Sequence, residues 1–350
     1  MERKYRRLIG VGGIGAGLFF ALEGNENLGR NESRAATLLD ARDYCKLHIV
    51  THYLATLLDG ALHIVPLGKV GSDNTGLRLL EEMKTAGIDV SHIQISTTSP
   101  TLLSVCYQYP DGSGGNITAN NSASTNLALQ DVDSIVGLFE EHAGRCVALA
   151  LPEVPLSLRD HLLTRATNFG ALRVAAFTSG EIADARRIGI FERVDLLFLN
   201  QDEAEALTET VFDPFEPAAF LEKCARTVRD IQPEIRIVVT AGKQGAYGLE
   251  ADEWVHSPAC EVKVASTAGA GDALIAGTLT GLISGVPLVE QCDDDSIHSA
   301  LDFGVLLGSY STTSPHTIHP NAELQDVLTF ANAAGKDVGF SLLQTALVSE

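Results

Sequence analysis

The chain predicts an α/β fold, a mostly parallel central sheet with helices on both faces, and three observations carry that expectation. From Asp133 onward, short apolar runs alternate with helix-length segments, the pattern of β-α units whose strands are buried on both faces. A glycine-rich turn, Gly269-Ala270-Gly271-Asp272, opens a small-residue apolar run that continues to Leu282. With 350 residues, 45% of them hydrophobic, and 32 glycines, the chain has length enough for a large buried sheet with many turns.

Taken in order, Leu8-Ile9-Gly10-Val11 reads as a first strand, and Gly10, Gly12 and Gly15 form a G-x-G-x-x-G across its end. That spacing is the fingerprint of a dinucleotide fold, so an NAD-binding oxidoreductase is a competing reading. Against it, residues 24–34 read as a polar loop where that fold needs a crossover helix. Arg3 to Arg7 ahead of the apolar run Leu8–Leu22 imitates a signal peptide. The run is glycine-rich and lacks a small-residue cleavage site, so a first strand and turn in a cytoplasmic protein is the expectation. A helix follows over Lys46–Leu58, then a strand over His63–Leu67, and a second helix carrying Leu77, Leu79, Leu80 and Met83 that ends before Gly87. Thr101–Tyr109 alternates as a strand, and the turn Asp111-Gly112-Ser113-Gly114-Gly115 folds it back onto Asn116-Ile117-Thr118.

Beyond residue 133 the strands are Cys146–Leu149, Leu172–Phe177, Val194–Leu199 and Ile235–Val239, with helices over Leu156–Phe169 and near Glu181–Ile188. Active residues in such a sheet gather at the carboxyl ends of the strands. Asn200-Gln201-Asp202-Glu203 falls at one of these ends. On local grounds alone it is best read as an N-cap with a capping-box glutamate, although the same oxygens suit a hard cation. Thr240-Ala241-Gly242-Lys243-Gln244-Gly245 falls at another. Val262-Lys263-Val264 reads as a strand leading into Ser266–Leu274, which would place the glycines where a strand hands over to a helix. Free N–H groups there hold anions, and glycines admit close approach. Asp272 would then serve as a base beside a phosphate; equally, the turn is explained by close packing, with Asp272 complementing the helix dipole. A further helix is expected over Ser299–Tyr310.

A formal charge of −20 and a pI near 4.8 argue against nucleic acid and anionic membranes as partners, which call for a basic surface. The six cysteines are scattered with no C-x-x-C pair, as for reduced packing residues. No G-x-x-x-x-G-K-[ST] occurs, so a P-loop is absent.

Thr267-Ala268-Gly269-Ala270-Gly271-Asp272-Ala273 resembles the C-terminal signature of the ribokinase-like (PfkB) carbohydrate kinases. The G-x-V-G-x-D-x-x-G of Gly68–Gly76 with Gly87-Ile88-Asp89, the N-x-x-E of Asn200–Glu203 and the T-x-G-x-x-G of Thr240–Gly245 resemble the same family, over about Leu8 to Pro320. The resemblance implies one ribokinase-like domain over 1–350, with a small β lid formed by parts of about 10–20 and 96–126. It implies ATP-dependent phosphorylation of a hydroxyl on a small sugar-like substrate, with Asp272 as base and the amides of Gly269, Ala270 and Gly271 as anion hole. Asn200 and Glu203 would position Mg²⁺ through water. Thr240, Gly242, Gly245 and Thr267 would line the nucleotide phosphates, Val305 would flank the adenine, and a homodimer would form through the lid.

The resemblance breaks in two places. The family's acidic residue after the first strand is missing, since Gly15-Ala16-Gly17 stands there. The acceptor pocket is therefore assigned to Gly15 and Gly17, with His48, Thr51 and His52 as candidate replacements. Ser266 stands where the family has an Asp that helps bind a monovalent cation, so little potassium dependence is expected. A non-catalytic nucleotide-binding sensor of the same fold is the alternative.

Overall fold

In β1 (Arg7–Val11) Leu8 faces one side of the central sheet and Ile9 the other, and both are fully buried. A strand covered on both faces reads as a near-continuous apolar run, here Leu8 to Val11. The structure is a computed structural model that describes residues 4–111, 114–292 and 296–338. Arg3 of the leader-like segment and Gly112-Ser113 of the expected turn lie outside the described residues.

After β1 come β2 (Gly15–Leu22), β3 (Ala36–Tyr44), α1 (Lys46–Leu58), β4 (His63–Gly71), α2 (Asn74–Thr85), β5 (Ile93–Ser96), β6 (Leu102–Gln108) and β7 (Gly114–Thr118). Two short helices, α3 (Leu129–Asp133) and α4 (Gly137–Glu140), lead to β8 (Cys146–Ala150), α5 (Leu156–Thr167), β9 (Leu172–Ala176), α6 (Ile182–Arg187), β10 (Leu196–Asn200) and α7 (Gln201–Thr208). The chain continues through α8 (Pro217–Arg229), β11 (Arg236–Thr240), β12 (Ala246–Glu250), β13 (Glu253–Ser257), α9 (Ala270–Ile283), α10 (Ala300–Ser311) and α11 (Leu324–Ala333).

Nine strands pair in the order β13-β12-β11-β10-β9-β8-β1-β4-β5. Pairing is parallel from β11 to β5 and antiparallel only at the β12 and β13 edge. One apolar layer joins the sheet to α1, α9, α10 and α11, and the other joins it to α5, α7 and α8. This is the mostly parallel, doubly covered α/β sheet expected from the sequence. Strand β1 lies between β4 and β8, so the chain's order reverses beside it and opens a crevice at the carboxyl ends of β1 and β8. Helices α9 and α10 approach closely because glycines face each other: a Cβ on Gly277 would stand 2.8 Å from Gly304 Cα.

A second sheet, ordered β3-β2-β6-β7, stands apart from the first. Asp73 ties it to the main body, capping α2 through Gly76 N (2.8 Å) while accepting from Thr101 N (2.8 Å) just before β6. Leu38, Leu103 and Ile117 are exposed on one face of this sheet, and Asp43, Ser104 and Gly17 are buried on the other.

One competing reading falls away and one expectation is corrected. The G-x-G-x-x-G of Gly10–Gly15 runs into strand β2 and not into a helix, so the helix N-terminus a dinucleotide needs is missing. Val262-Lys263-Val264 forms no strand. Its neighbours Ala265 and Ser266 donate instead to the carbonyl of Thr312 at the end of α10 (2.8 and 3.3 Å), and Val264 stays exposed. The glycine turn therefore opens α9 from an irregular segment.

Candidate active site

Helix α9 begins at Gly269, whose φ of 78° lies in the left-handed region and whose side of the helix carries no cap side chain. A Cβ there would also stand 2.7 Å from the carbonyl of Thr317. Glycine is needed on both counts. Above Gly271 nothing lies within 4 Å of a Cβ position, so the first turn opens onto free space on that side, while the Ala270 amide is turned back to the carbonyl of Thr267. Asp272 sits in that turn, 7% exposed, and the helix is buried from there to Ile283, while Gly271 beside it is exposed.

Lys46, the first residue of α1, brings its Nζ to 3.4 Å from Oδ1 of Asp272. Burial raises the Asp272 carboxyl above its ordinary value and the lysine works against that rise, while Asp272 holds the Lys46 ammonium well above its own. Glu153, after β8, completes the corner. Its Oε2 accepts from the Lys46 backbone N–H at 3.3 Å, and its φ of 75° is a strained, left-handed value for a side chain. Burial pushes its carboxyl up to about 7. Neither residue was singled out from sequence. The available signals were a lone charge in the apolar helix Lys46–Leu58 and a glutamate just past the carboxyl end of a buried strand.

Asn200 and Glu203 form the capping box read locally: Glu203 N donates to Asn200 Oδ1 (2.8 Å), and Asn200 N and Nδ2 donate to the Glu203 carboxylate (2.8 and 3.1 Å). Burial pushes Glu203 up to about 7, with Lys46 pulling it down. Asn200 and Thr240 are register partners across β10 and β11, which brings the second and third motifs side by side. Gly242 and Gly245 take positive φ (55° and 95°), and a Cβ on Gly245 would strike the carbonyl of Ser257 at 2.0 Å. Thr267 is exposed at the mouth of the same turn, and its carbonyl accepts from Ala270 N at 3.3 Å. Ser266 is buried, and its Oγ accepts from Ala268 N at 3.2 Å. Val305 lines a cavity of about 570 Å³ with Ser257, Pro258, Cys260 and Asp302.

Gly15 and Gly17 are buried in β2, the strand that follows the end of β1 where the crevice opens. His48 and Thr51 are not brought to it. The His48 ring is wholly buried against Tyr44 (4.6 Å between ring centres) and His52, with neither nitrogen hydrogen-bonded, and burial pushes its pKa down to about 3. Thr51 is buried and spends its hydroxyl on the carbonyl of Leu47 (2.6 Å). His48 lies two residues and Thr51 five residues beyond Lys46 in α1, and at 3.6 residues per turn both offsets point to faces other than that of Lys46.

Among the described residues no helix is long and apolar enough to cross a membrane, and no group of three His, Cys, Asp or Glu side chains is placed to hold a metal. The probable fructokinase-7 of Arabidopsis thaliana is 25% identical over 263 residues, 71% of this chain and 72% of that protein. Ribokinase from Giardia lamblia superposes with a TM-score of 0.76 at 15% identity, over 92% of this chain and 98% of that one. Ribokinase from Cryptococcus neoformans var. grubii in complex with ADP gives 0.72 at 19% identity, over 93% and 99%. The last two likenesses establish the fold. The profile of the pfkB family carbohydrate kinases matches residues 50–335, and this chain belongs to that family.

Proposed function

We propose that Asp272 is the general base of an ATP-dependent transfer to a hydroxyl of a small sugar-like acceptor. The observation that carries this reading is a buried carboxylate in the uncapped first turn of α9, with an ammonium at 3.4 Å and open space over Gly271. The acceptor oxygen attacks the γ-phosphorus while its proton passes to the Asp272 carboxylate. The new O–P bond forms as the bond to the β-phosphate oxygen breaks, and ADP leaves with that electron pair. The amides of Gly269 and Gly271 face the charge that gathers on the transferring group. Lys46 keeps Asp272 ionised between turnovers.

Thr240, Gly242, Gly245 and Thr267 would line the phosphates, and the cavity beside Val305 would take the base. Mg²⁺, when bound with the nucleotide, neutralises charge on the phosphoryl oxygens. Both oxygens of Glu203 are already engaged by Asn200, which fits a role in holding the ion's waters and not the ion itself. Ser266, with its hydroxyl turned to its own loop, suits weak dependence on potassium. The whole chain would act as one domain in the cytoplasm. The exposed Leu38, Leu103 and Ile117 on the outer face of the small sheet would pair two copies into a homodimer.

The test is Asp272→Asn, with ADP release measured across sugars, sugar derivatives and nucleosides. Turnover should fall about 10²–10⁴-fold with ATP affinity little changed. Near-normal turnover in the variant would remove the base. A wild type that binds ATP and phosphorylates nothing would favour a nucleotide-binding sensor.

A further inference from the structure

Glycines 13, 15 and 17 recur every second residue, and each leaves bare a spot that a side chain from elsewhere fills. A Cβ on Gly13 would stand 2.2 Å from Oε2 of Glu153, one on Gly15 2.9 Å from Sγ of Cys45, and one on Gly17 2.4 Å from Oδ2 of Asp43. None of the three takes a positive φ. They are glycine for space and not for backbone conformation.

Backbone pairing fixes each neighbour over its glycine. Gly13 N donates to Pro152 O at 3.0 Å, Cys45 N donates to Gly15 O at 3.2 Å, and Gly17 and Asp43 are register partners in β2 and β3. Asp43 is 7% exposed and accepts from Cys106 Sγ at 3.3 Å. Asp43 and Glu153 together hold the Cys45 and Cys106 thiols above their ordinary values, beyond the larger effect of burial. The two carboxylates thus share one corner. Lys46 follows Cys45 directly and reaches Asp272, which joins this corner to the reacting end of the crevice.

We propose that residues 13–17 form a bare strip over which Asp43 and Glu153 grip hydroxyls of the acceptor, and that this pair selects an uncharged polyhydroxyl compound over sugar acids and sugar phosphates. The proposal rests on the kinase reading above. A carboxylate accepts two hydroxyl protons at once, and such charge-assisted bonds are strong in a dry site. An anionic acceptor would meet Asp43 and Asp272, and above about pH 7 an ionised Glu153 as well, with Lys46 already engaged, so like-charge repulsion disfavours it. A side chain at 17 and the Asp43 carboxylate exclude each other, which makes the two positions exchangeable.

The experiment compares wild type, Asp43→Asn, Asp43→Gly and the exchange Gly17→Asp/Asp43→Gly. It uses a panel of sugars, polyols, nucleosides, sugar acids and sugar phosphates, with melting curves for each protein. Wild type should phosphorylate uncharged acceptors at least about 100-fold more efficiently than acids or phosphates. Asp43→Asn should raise the acceptor KM about 10-fold or more, with a smaller change in kcat and in the KM for ATP. The exchange should recover activity that Asp43→Gly loses. An unchanged acceptor KM in Asp43→Asn, or a wild-type preference for acids or phosphates, overturns the assignment and leaves the kinase reading standing. Failure of wild type to phosphorylate any acceptor removes the kinase reading and this assignment with it.

Discussion

Lys46 is the lone charged residue in a helix otherwise made of apolar, threonine and histidine side chains. The Lys46 side chain is half-buried beside the buried Asp272, and a charge drawn out of water is held by a counter-charge, which Asp272 supplies. Each therefore sets the other's ionisation. Lys46→Met should lift the Asp272 carboxyl still further, because burial then acts unopposed. A base must be deprotonated to work, so the acid limb of the kcat/KM profile should move to higher pH; a limb that stays in place would mean that Lys46 does not tune the base. The same residue shows what was legible at this scale. Asp272, Asn200, Glu203 and Thr240 could be proposed from the sequence because each stands in a recognisable motif. Lys46, Glu153 and Asp43 were missed because no local pattern marks them: they converge from the start of α1, the end of β8 and the end of β3. His48 and Thr51 were chosen for chemistry that looked unusual in a helix, but the helical period turns them into the core.

At the scale of elements, the turn before α9 depends on one backbone conformation. Gly269→Ala would force a side chain into φ near 78° and onto the carbonyl of Thr317, 2.7 Å away. The strain is about 1–2 kcal/mol. It should appear first as displaced amides, so kcat should fall by more than tenfold while denaturant unfolding shows only that modest loss; full activity would place the anion hole elsewhere. Doubly buried strands were legible because their central positions are almost all apolar, and β1, β8, β9, β10 and β11 came within two residues of their ends. Strand β3, Ala-Thr-Leu-Leu-Asp-Ala-Arg-Asp-Tyr, was hidden because its register slips twice against β2, which breaks the two-residue period. Val262 and Val264 were over-read for the opposite reason: their alternation is right, but no strand edge lies beside them.

For the whole molecule, the cluster at the crevice makes stability depend on pH. Glu153 and Glu203 are each raised by burial from 4.5 to about 7. The folded state therefore binds more protons than the unfolded chain between those values. Their contribution is fully present below about 4.5 and is lost as pH rises through about 7. The carboxyls held below their ordinary range by hydrogen bonds, such as Asp73, Asp89 and Asp133, have made their contribution by pH 5.5 and add nothing above it. His48, lowered by burial from 6.5 to about 3, works in the other direction: its contribution is present above 6.5 and is lost as pH falls, so it offsets part of the change between 5.5 and 6.5. Two carboxyls outweigh it, and a chain of formal charge −20 gains further repulsion as they ionise. The ligand-free protein should lose on the order of 1–3 kcal/mol between pH 5.5 and 8.5, seen as a lower urea midpoint. Glu153→Gln, which cannot ionise, should flatten that fall, and a midpoint that rises with pH in both proteins would show that the carboxyls at the crevice are not held protonated by burial.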